Sequence, residues 1–204
     1  MRTHFLTAET PDTFLVSVKV LDKSGNGKIE NVVEAAGWII ENKSAMNIRV
    51  VNISFGTRAK MENGPAIETG EDDYALIMAV EKMWDSGIVV VAAAGNNGPG
   101  NTSVTAPGIS KKIITVGAFD DKNFFSGRGP TRECIVKPEV VVTGSNIIAC
   151  NNHQGRYSSK SGTSMAAPVV SGAVARLIKN NPDITPKEVK IWMKSCCKKI
   201  NVPS

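Results

Sequence analysis

Aromatic side chains make up only 5% of this 204-residue sequence, and histidine occurs just twice. No basic run interleaves with the few aromatics, so nothing in the sequence supports nucleic-acid binding. The net charge of +5 is modest and its lysines are scattered apart from "KSCCKK", which reads as solubility. No apolar run approaches the roughly 20 residues of a membrane-spanning helix, and no signal-type apolar region opens the chain. The four cysteines, Cys134, Cys150, Cys196 and Cys197, follow no metal-ligand spacing. The last two are adjacent and are poor partners for each other. Free thiols in a reducing compartment are the expectation, which favours a cytoplasmic over a secreted location.

What is present is an ordinary globular composition, 42% hydrophobic and 21% charged. A chain of this length buries roughly 70% of its unfolded surface, enough for one large core. A single domain over 1–204 is expected. Short β-branched runs alternate with helical patterns. Phe14 to Leu21, Ile48 to Ser54, Gly87 to Gly95, Lys112 to Ala118 and Glu139 to Gly144 read as strands. Several are continuous apolar runs, as a parallel sheet covered on both faces requires. Between them, Ile29, Val32, Val33, Ala36, Ile39 and Ile40 fall on one helical face, as do Tyr74, Ile77, Met78, Met83 and Trp84. Thr185-Pro186-Lys187-Glu188 is a capping-box start, predicting a last helix to about Cys197. This alternation predicts a doubly wound α/β fold, a mostly parallel sheet with helices on both faces.

Two stretches carry chemistry. "SGTSMAAPVVSGAVARLI", Ser161 to Ile178, has no charge from Ser161 through Ala175. Its apolar and small residues run nearly all round, so this helix belongs in the middle of the core. Pro168 is compatible with a first turn, where its missing N–H has no intrahelical partner, and this places the start near Thr163 or Ser164. Ser164 then stands at a helix N-terminus, where free N–H groups and the dipole favour negative charge. It reads as a nucleophile whose own N–H helps hold an oxyanion, or simply as an N-cap. The second stretch, "VVVAAAGNNGPGNTS", is a buried strand running into a Gly-Asn loop at a strand's carboxyl end, where open α/β sheets bind ligands. Asn96 offers a neutral amide donor to a developing alkoxide, or fills a left-handed turn. A phosphate cradle is the weaker reading, because no Gly-rich fingerprint leads directly into a helix.

"GTSMAAP", "AAAGNNG" and "VNISFG", in that family's order, resemble the subtilisin-like serine proteases, and "KVLDKSGNG", "ITVGAFD" and "FFSGRGP" fall in register with them. The resemblance covers nearly all of the chain from Thr10 onward. It implies a serine endopeptidase acting on polypeptides through an acyl-enzyme, with Ser164 as nucleophile and Asn96 as oxyanion-hole donor. It further implies that Ser54-Phe55-Gly56 and Gly25-Asn26-Gly27 sandwich an extended substrate by β-pairing. The loop Asn97 to Gly108 would shape the specificity pocket, with Asn97, Thr105 and Gly108 suiting an apolar or uncharged side chain. Ala106-Pro107 becomes a candidate cis bond, and structural calcium a family property without an assignable ligand set in this sequence.

The same resemblance exposes what is missing. The mechanism needs a histidine base oriented by an aspartate, and the D-[ST]-G and HGTH motifs that supply them do not occur. His4, in "MRTHFLTA", and His153, in "NNHQGRY", lack that context, and so do Asp12, Asp22 and Asp85. The chain therefore resembles the C-terminal two-thirds of a subtilisin-like catalytic domain, expected to be inactive alone and to self-associate over the face left open. The alternative is a pseudoprotease used as a binding or regulatory module, although an intact Ser164 and Asn96 speak against it. "DKSGNGKIE" is neither an EF-hand, whose twelfth position is Val33 here, nor a nucleotide loop, since both Gly-rich spacings are absent.

Overall fold

The computed structural model describes residues 12–57, 70–151 and 156–198. His4 and His153 lie outside the described residues. A sheet of four parallel strands is formed by β1 (Val50–Ile53), β2 (Val89–Ala93), β3 (Ile114–Ala118) and β4 (Val140–Val142), in that spatial order. A two-stranded antiparallel hairpin follows, β5 (Ile147–Cys150) with β6 (Tyr157–Lys160). The helices are α1 (Ile29–Asn42), α2 (Glu71–Asp85), α3 (Thr163–Asn180) and α4 (Pro186–Cys196).

Side chains alternate across a strand, so β2 serves both faces of the sheet. Val89, Val91 and Ala93 pack with Ala166, Val170 and Val174 of α3 and with Val189 and Met193 of α4. Val90 and Ala92 pack on the other side with Ala36 and Ile39 of α1 and Ala79, Val80 and Met83 of α2. All five residues of β2 and of β3 are buried, which is why their sequences show apolar runs with no polar alternation. α4 begins at a reciprocal cap: the Thr185 hydroxyl accepts from the Glu188 N–H, and the Glu188 carboxylate accepts from the Thr185 N–H.

Four expectations need correction. Phe14 to Leu21 is not a strand. Among the described residues β1 is the edge of the sheet, and Phe14 is 97% exposed. A β-rich run without a neighbour to bond its N–H and C=O groups has no ladder to join. On α2 the buried face is Leu76, Ala79, Val80 and Met83, while Tyr74 and Met78 face solvent. The helical period admits both stripes, and the larger side chains lie on the outer one. α3 is buried over its first half but not all round: Ala173 is exposed and Val169 half-buried. The hairpin β5–β6 was not expected, because both of its strands are short and their side chains mostly exposed or half-buried.

The fourth correction concerns Pro168. α3 starts at Thr163, so Pro168 lies in its second turn, beyond the N–H groups that lack an intrahelical acceptor anyway. Its ring denies the Ser164 carbonyl the usual i+4 donor. The Ser54 hydroxyl replaces that donor, approaching the Ser164 carbonyl oxygen at 3.2 Å. Ser54→Ala is expected to leave this half-buried carbonyl short of a partner, at a cost of about 1–3 kcal/mol. Pro168→Ala restores an N–H in the helix, so the double variant should recover most of that loss. Chemical denaturation of the three variants measures the coupling; additive losses would show that the two residues are independent.

Candidate active site

The Ser54 contact is one half of a reciprocal clamp. The Ser164 hydroxyl donates to the Ser54 carbonyl at 2.9 Å, while the Ser54 hydroxyl donates back to the Ser164 carbonyl. Further in, Asn52 Nδ2 donates to the Ser54 hydroxyl at 2.9 Å, and the buried Ser171 hydroxyl donates to Asn52 Oδ1 at 3.0 Å. The end of β1 is thus stitched to the start of α3 by side chains of both, and Ser164 stands half-buried where they meet.

Asn96 reaches the same helix start from β2. Its carbonyl oxygen accepts from the Thr163 N–H at 3.0 Å and from the Thr163 hydroxyl at 3.1 Å. That hydroxyl accepts in turn from the Gly95 N–H at 3.1 Å. With Oδ1 committed, the free end of the amide is Nδ2, which lies over Gly162. A Cβ at Gly162 would come within 3.3 Å of Nδ2, and φ of +151° there is itself foreign to L side chains. Gly95 is as constrained: φ is +93°, and a Cβ would lie 2.6 Å from the Thr105 hydroxyl. The Ser164 N–H occupies the second helical position, where no intrahelical acceptor exists. The Asn96 side chain and the Ser164 N–H are therefore both held at the positive end of a helix 18 residues long, the end that carries the Ser164 hydroxyl.

The elbow before α3 is held from the carboxyl ends of β3 and β4. The Asp120 carboxylate, just past β3, accepts from the Gly144 and Ser145 N–H groups at 2.7 and 3.1 Å. The Gly144 carbonyl then accepts from the Gly162 N–H at 2.9 Å.

A cleft of about 1140 Å³ opens at Phe55, the residue after Ser54. Gly25, Asn26 and Gly27 line one side, and Phe55, Gly56 and Thr105 line another. The Asp22 carboxylate fixes the first of these loops by accepting from the Ser24 and Asn26 N–H groups. The Thr57 N–H ties the other edge to the Ala106 carbonyl at 3.1 Å, and the Ala106–Pro107 bond is cis. Ser54, Asn96 and Ser164 do not line this cleft, and neither do two residues assigned to the pocket from sequence. Gly108 is buried, its carbonyl accepting from the Thr115 hydroxyl at 2.6 Å, and Asn97 is exposed outside the cleft lining. Asp12 pairs with Lys179 at 2.8 Å and Asp85 with Lys112 at 2.7 Å, so both are engaged away from Ser164. Neither the Ser54–Ser164 clamp nor Asn52 could be found from sequence, because Asn-Ile-Ser carries no motif chemistry by itself.

A profile of the subtilase family matches residues 8–201. The chain belongs to the subtilase family. Among curated relatives this subtilase is 36% identical over 212 residues to the serine protease AprX of Bacillus subtilis (strain 168), covering 91% of this chain and 46% of the relative. It is 33% identical to subtilisin DY of Bacillus licheniformis, covering 88% of this chain and 59% of that one. Among solved structures, sphericase superposes with a TM-score of 0.75 at 25% identity over 91% of this subtilase and 60% of its own length. A cold-adapted subtilisin-like serine proteinase gives 0.69 at 28% identity. The subtilase chain thus spans about half of AprX and about three-fifths of the other relatives. Among its described residues no group of three or more His, Cys, Asp or Glu side chains could hold a metal ion, so the calcium implied by the resemblance finds no ligand cluster there. No described helix is long and apolar enough to cross a membrane. Cys134, Cys150, Cys196 and Cys197 are all free thiols.

Proposed function

We propose that this chain carries the nucleophile, the oxyanion hole and the substrate-binding edges of a serine endopeptidase. The observation that supports this reading most directly is the Ser164 hydroxyl at the start of α3, with the Asn96 amide and the Ser164 N–H beside it. An extended peptide lies between Gly25-Asn26-Gly27 and Ser54-Phe55-Gly56, pairing its backbone with both edges. The Ser164 oxygen swings from the Ser54 carbonyl and attacks the scissile carbonyl carbon, forming a C–O bond as its proton passes to a base. Charge collects on the former carbonyl oxygen, where the Ser164 N–H and Asn96 Nδ2 receive it. The C–N bond breaks, the amine leaves with the proton, and water releases the acyl group. Thr105 on the cleft wall suits an apolar or uncharged side chain before the cut bond.

The base and its orienting aspartate come from outside these 204 residues in this reading, so the chain alone is inert. The test is to join it to the N-terminal segment of a subtilisin that carries both groups. Peptide hydrolysis that appears on joining and vanishes with Ser164→Ala supports the proposal. A joined protein that folds and stays inert overturns it.

An open edge accompanies this assignment. β1 bonds only β2 among the described residues, Phe14 is 97% exposed, and Ala173 of α3 is uncovered. Unpaired strand edges and apolar patches favour association. The isolated chain is expected to self-associate with rising concentration in light scattering, and a constant monomer mass across the range would refute this.

A further inference from the structure

The rim of the sheet opposite Ser164 carries a feature that peptide hydrolysis does not use. β2 ends at Ala93, close to Asn96, whereas the parallel strand β3 begins at Ile114. Lys111 and Lys112, immediately before Ile114, therefore sit at the other end of the sheet. There the end of α2, the loop into β3 and one stripe of α4 enclose a cleft of about 420 Å³. α4 contributes Lys187, Lys190, Ile191 and Lys194, spaced at i, i+3, i+4 and i+7 so that all share a face.

Two of the five lysines lining the cleft are committed. Lys112 pairs with Asp85 at 2.7 Å and Glu81 at 3.5 Å. Lys190 pairs with the buried Glu139 at 2.8 Å and donates to the carbonyls of Lys111, Lys112 and Ile113. The other three, Lys111, Lys187 and Lys194, are exposed and form no ion pair among the described residues. The remaining carboxylate on α4, Glu188, is turned back onto Thr185. Three uncompensated cations around one small concavity focus positive potential there. The field reaches inward, since Lys190 and Lys194 both disfavour the charged form of buried Lys137. Between the cations the surface is apolar: Ile191 is 59% exposed, and the Trp84 indole forms part of the wall.

We propose that this cleft docks an acidic polypeptide segment in which one apolar side chain is flanked by carboxylates. The apolar side chain seats against Ile191 and Trp84, and the carboxylates meet Lys111, Lys187 and Lys194. Lys190 acts on the protein's side of the cleft, pinning the loop that presents Lys111. A nucleic acid suits the cleft poorly. It contains no arginine, three free cations neutralise few phosphates, and about 420 Å³ admits a side chain but not a duplex.

The test titrates the whole chain with a fluorescent peptide bearing a leucine between paired glutamates, and in parallel with a labelled oligothymidylate of equal charge. Saturable peptide binding is expected, weakening severalfold as salt rises from about 50 to about 200 mM. Exchanging Lys111, Lys187 and Lys194 together for glutamine should weaken it roughly tenfold or more, and Ile191→Ser roughly threefold. Circular dichroism confirms the fold of each variant, and Lys187→Glu alone supplies a single-site arm if the triple variant fails to fold. Absence of saturable binding overturns the proposal. So does binding indifferent to these substitutions, or oligothymidylate binding as tightly as the peptide.

Discussion

In the joined protein, Ser164→Ala is expected to lower kcat by about 10⁶, and Asn96→Leu by about 10²–10³ with KM little changed. Both magnitudes are those measured for a subtilisin, so they are carried from a relative of this chain. The difference between them has a physical basis. In the proposed mechanism no acyl-enzyme can form without Ser164, and the pathway itself is lost. Without the Asn96 amide the pathway remains and one donor to the oxyanion is missing, because the Ser164 N–H still faces it. The small KM effect follows because the charge that Nδ2 meets develops only in the transition state. Steady-state kinetics on a peptide ester measures both quantities. Equal losses from the two variants, or a loss from Asn96→Leu confined to KM, would show that Asn96 has been given the wrong task. Circular dichroism should accompany Asn96→Leu, since Asn96 Oδ1 also anchors Thr163.

The second large effect lies in the buried ion cluster beneath β3. Glu139 accepts from Lys137 at 2.9 and 3.0 Å, from Lys190 at 2.8 Å and from the Thr115 N–H at 2.8 Å. The Lys137 side chain is 0% exposed, and its ammonium also meets the Thr115 hydroxyl at 3.0 Å. Glu139→Gln strands two ammonium groups without a counter-charge and should destabilise the fold by about 3–5 kcal/mol. For a domain of this size that lowers Tm by roughly 6–20 °C. Lys137→Met removes one charge and leaves Glu139 its second partner, so at neutral pH it should be nearly neutral or stabilising.

The pH dependence carries a definite sign. Burial, opposed by Glu139, lowers the Lys137 ammonium from 10.5 to about 8. Below about pH 8 both folded and unfolded chains hold this proton, and the full penalty of burying the charge applies. Between about 8 and 10.5 the unfolded chain binds it and the folded chain does not, so this group's contribution to stability rises with pH. The gain amounts to about 3 kcal/mol over that window. Whatever advantage Lys137→Met has at pH 7 should therefore shrink by about that amount by pH 10.5 in paired denaturation curves. An advantage that holds constant or grows with pH would contradict this account.

What could be read in advance depended on how local its cause was. Continuous apolar runs identified β2 and β3, because burial on both faces leaves no other composition. The start of α3 and the cap of α4 were legible because each is written within a few consecutive residues. Phe14 to Leu21 misled because strand propensity says nothing about whether a neighbouring strand exists. Tyr74 and Met78 misled because the helical period admits two stripes on this helix, and the buried one is Leu76, Ala79, Val80 and Met83. In the candidate site, Ser164 and Asn96 stood out through the motifs "GTSMAAP" and "AAAGNNG", whereas their placement alone fits an N-cap and a turn equally well. Ser54 supplying the bond that Pro168 denies joins positions far apart in sequence, and nothing local marks it. Lys137, Glu139 and Lys190 form a single cluster only after β3, β4 and α4 have been assembled.

The tether from Asp120 through Gly144 to Gly162 bears on anyone wishing to re-aim the start of α3. The pitch of the rod bearing Ser164 is thus tied to a carboxylate just past the carboxyl end of β3, two backbone links away. Libraries aimed at re-aiming the Ser164 hydroxyl should diversify position 120 and leave Gly144 unchanged, because a Cβ at 144 would lie 2.8 Å from the Ala118 Cβ.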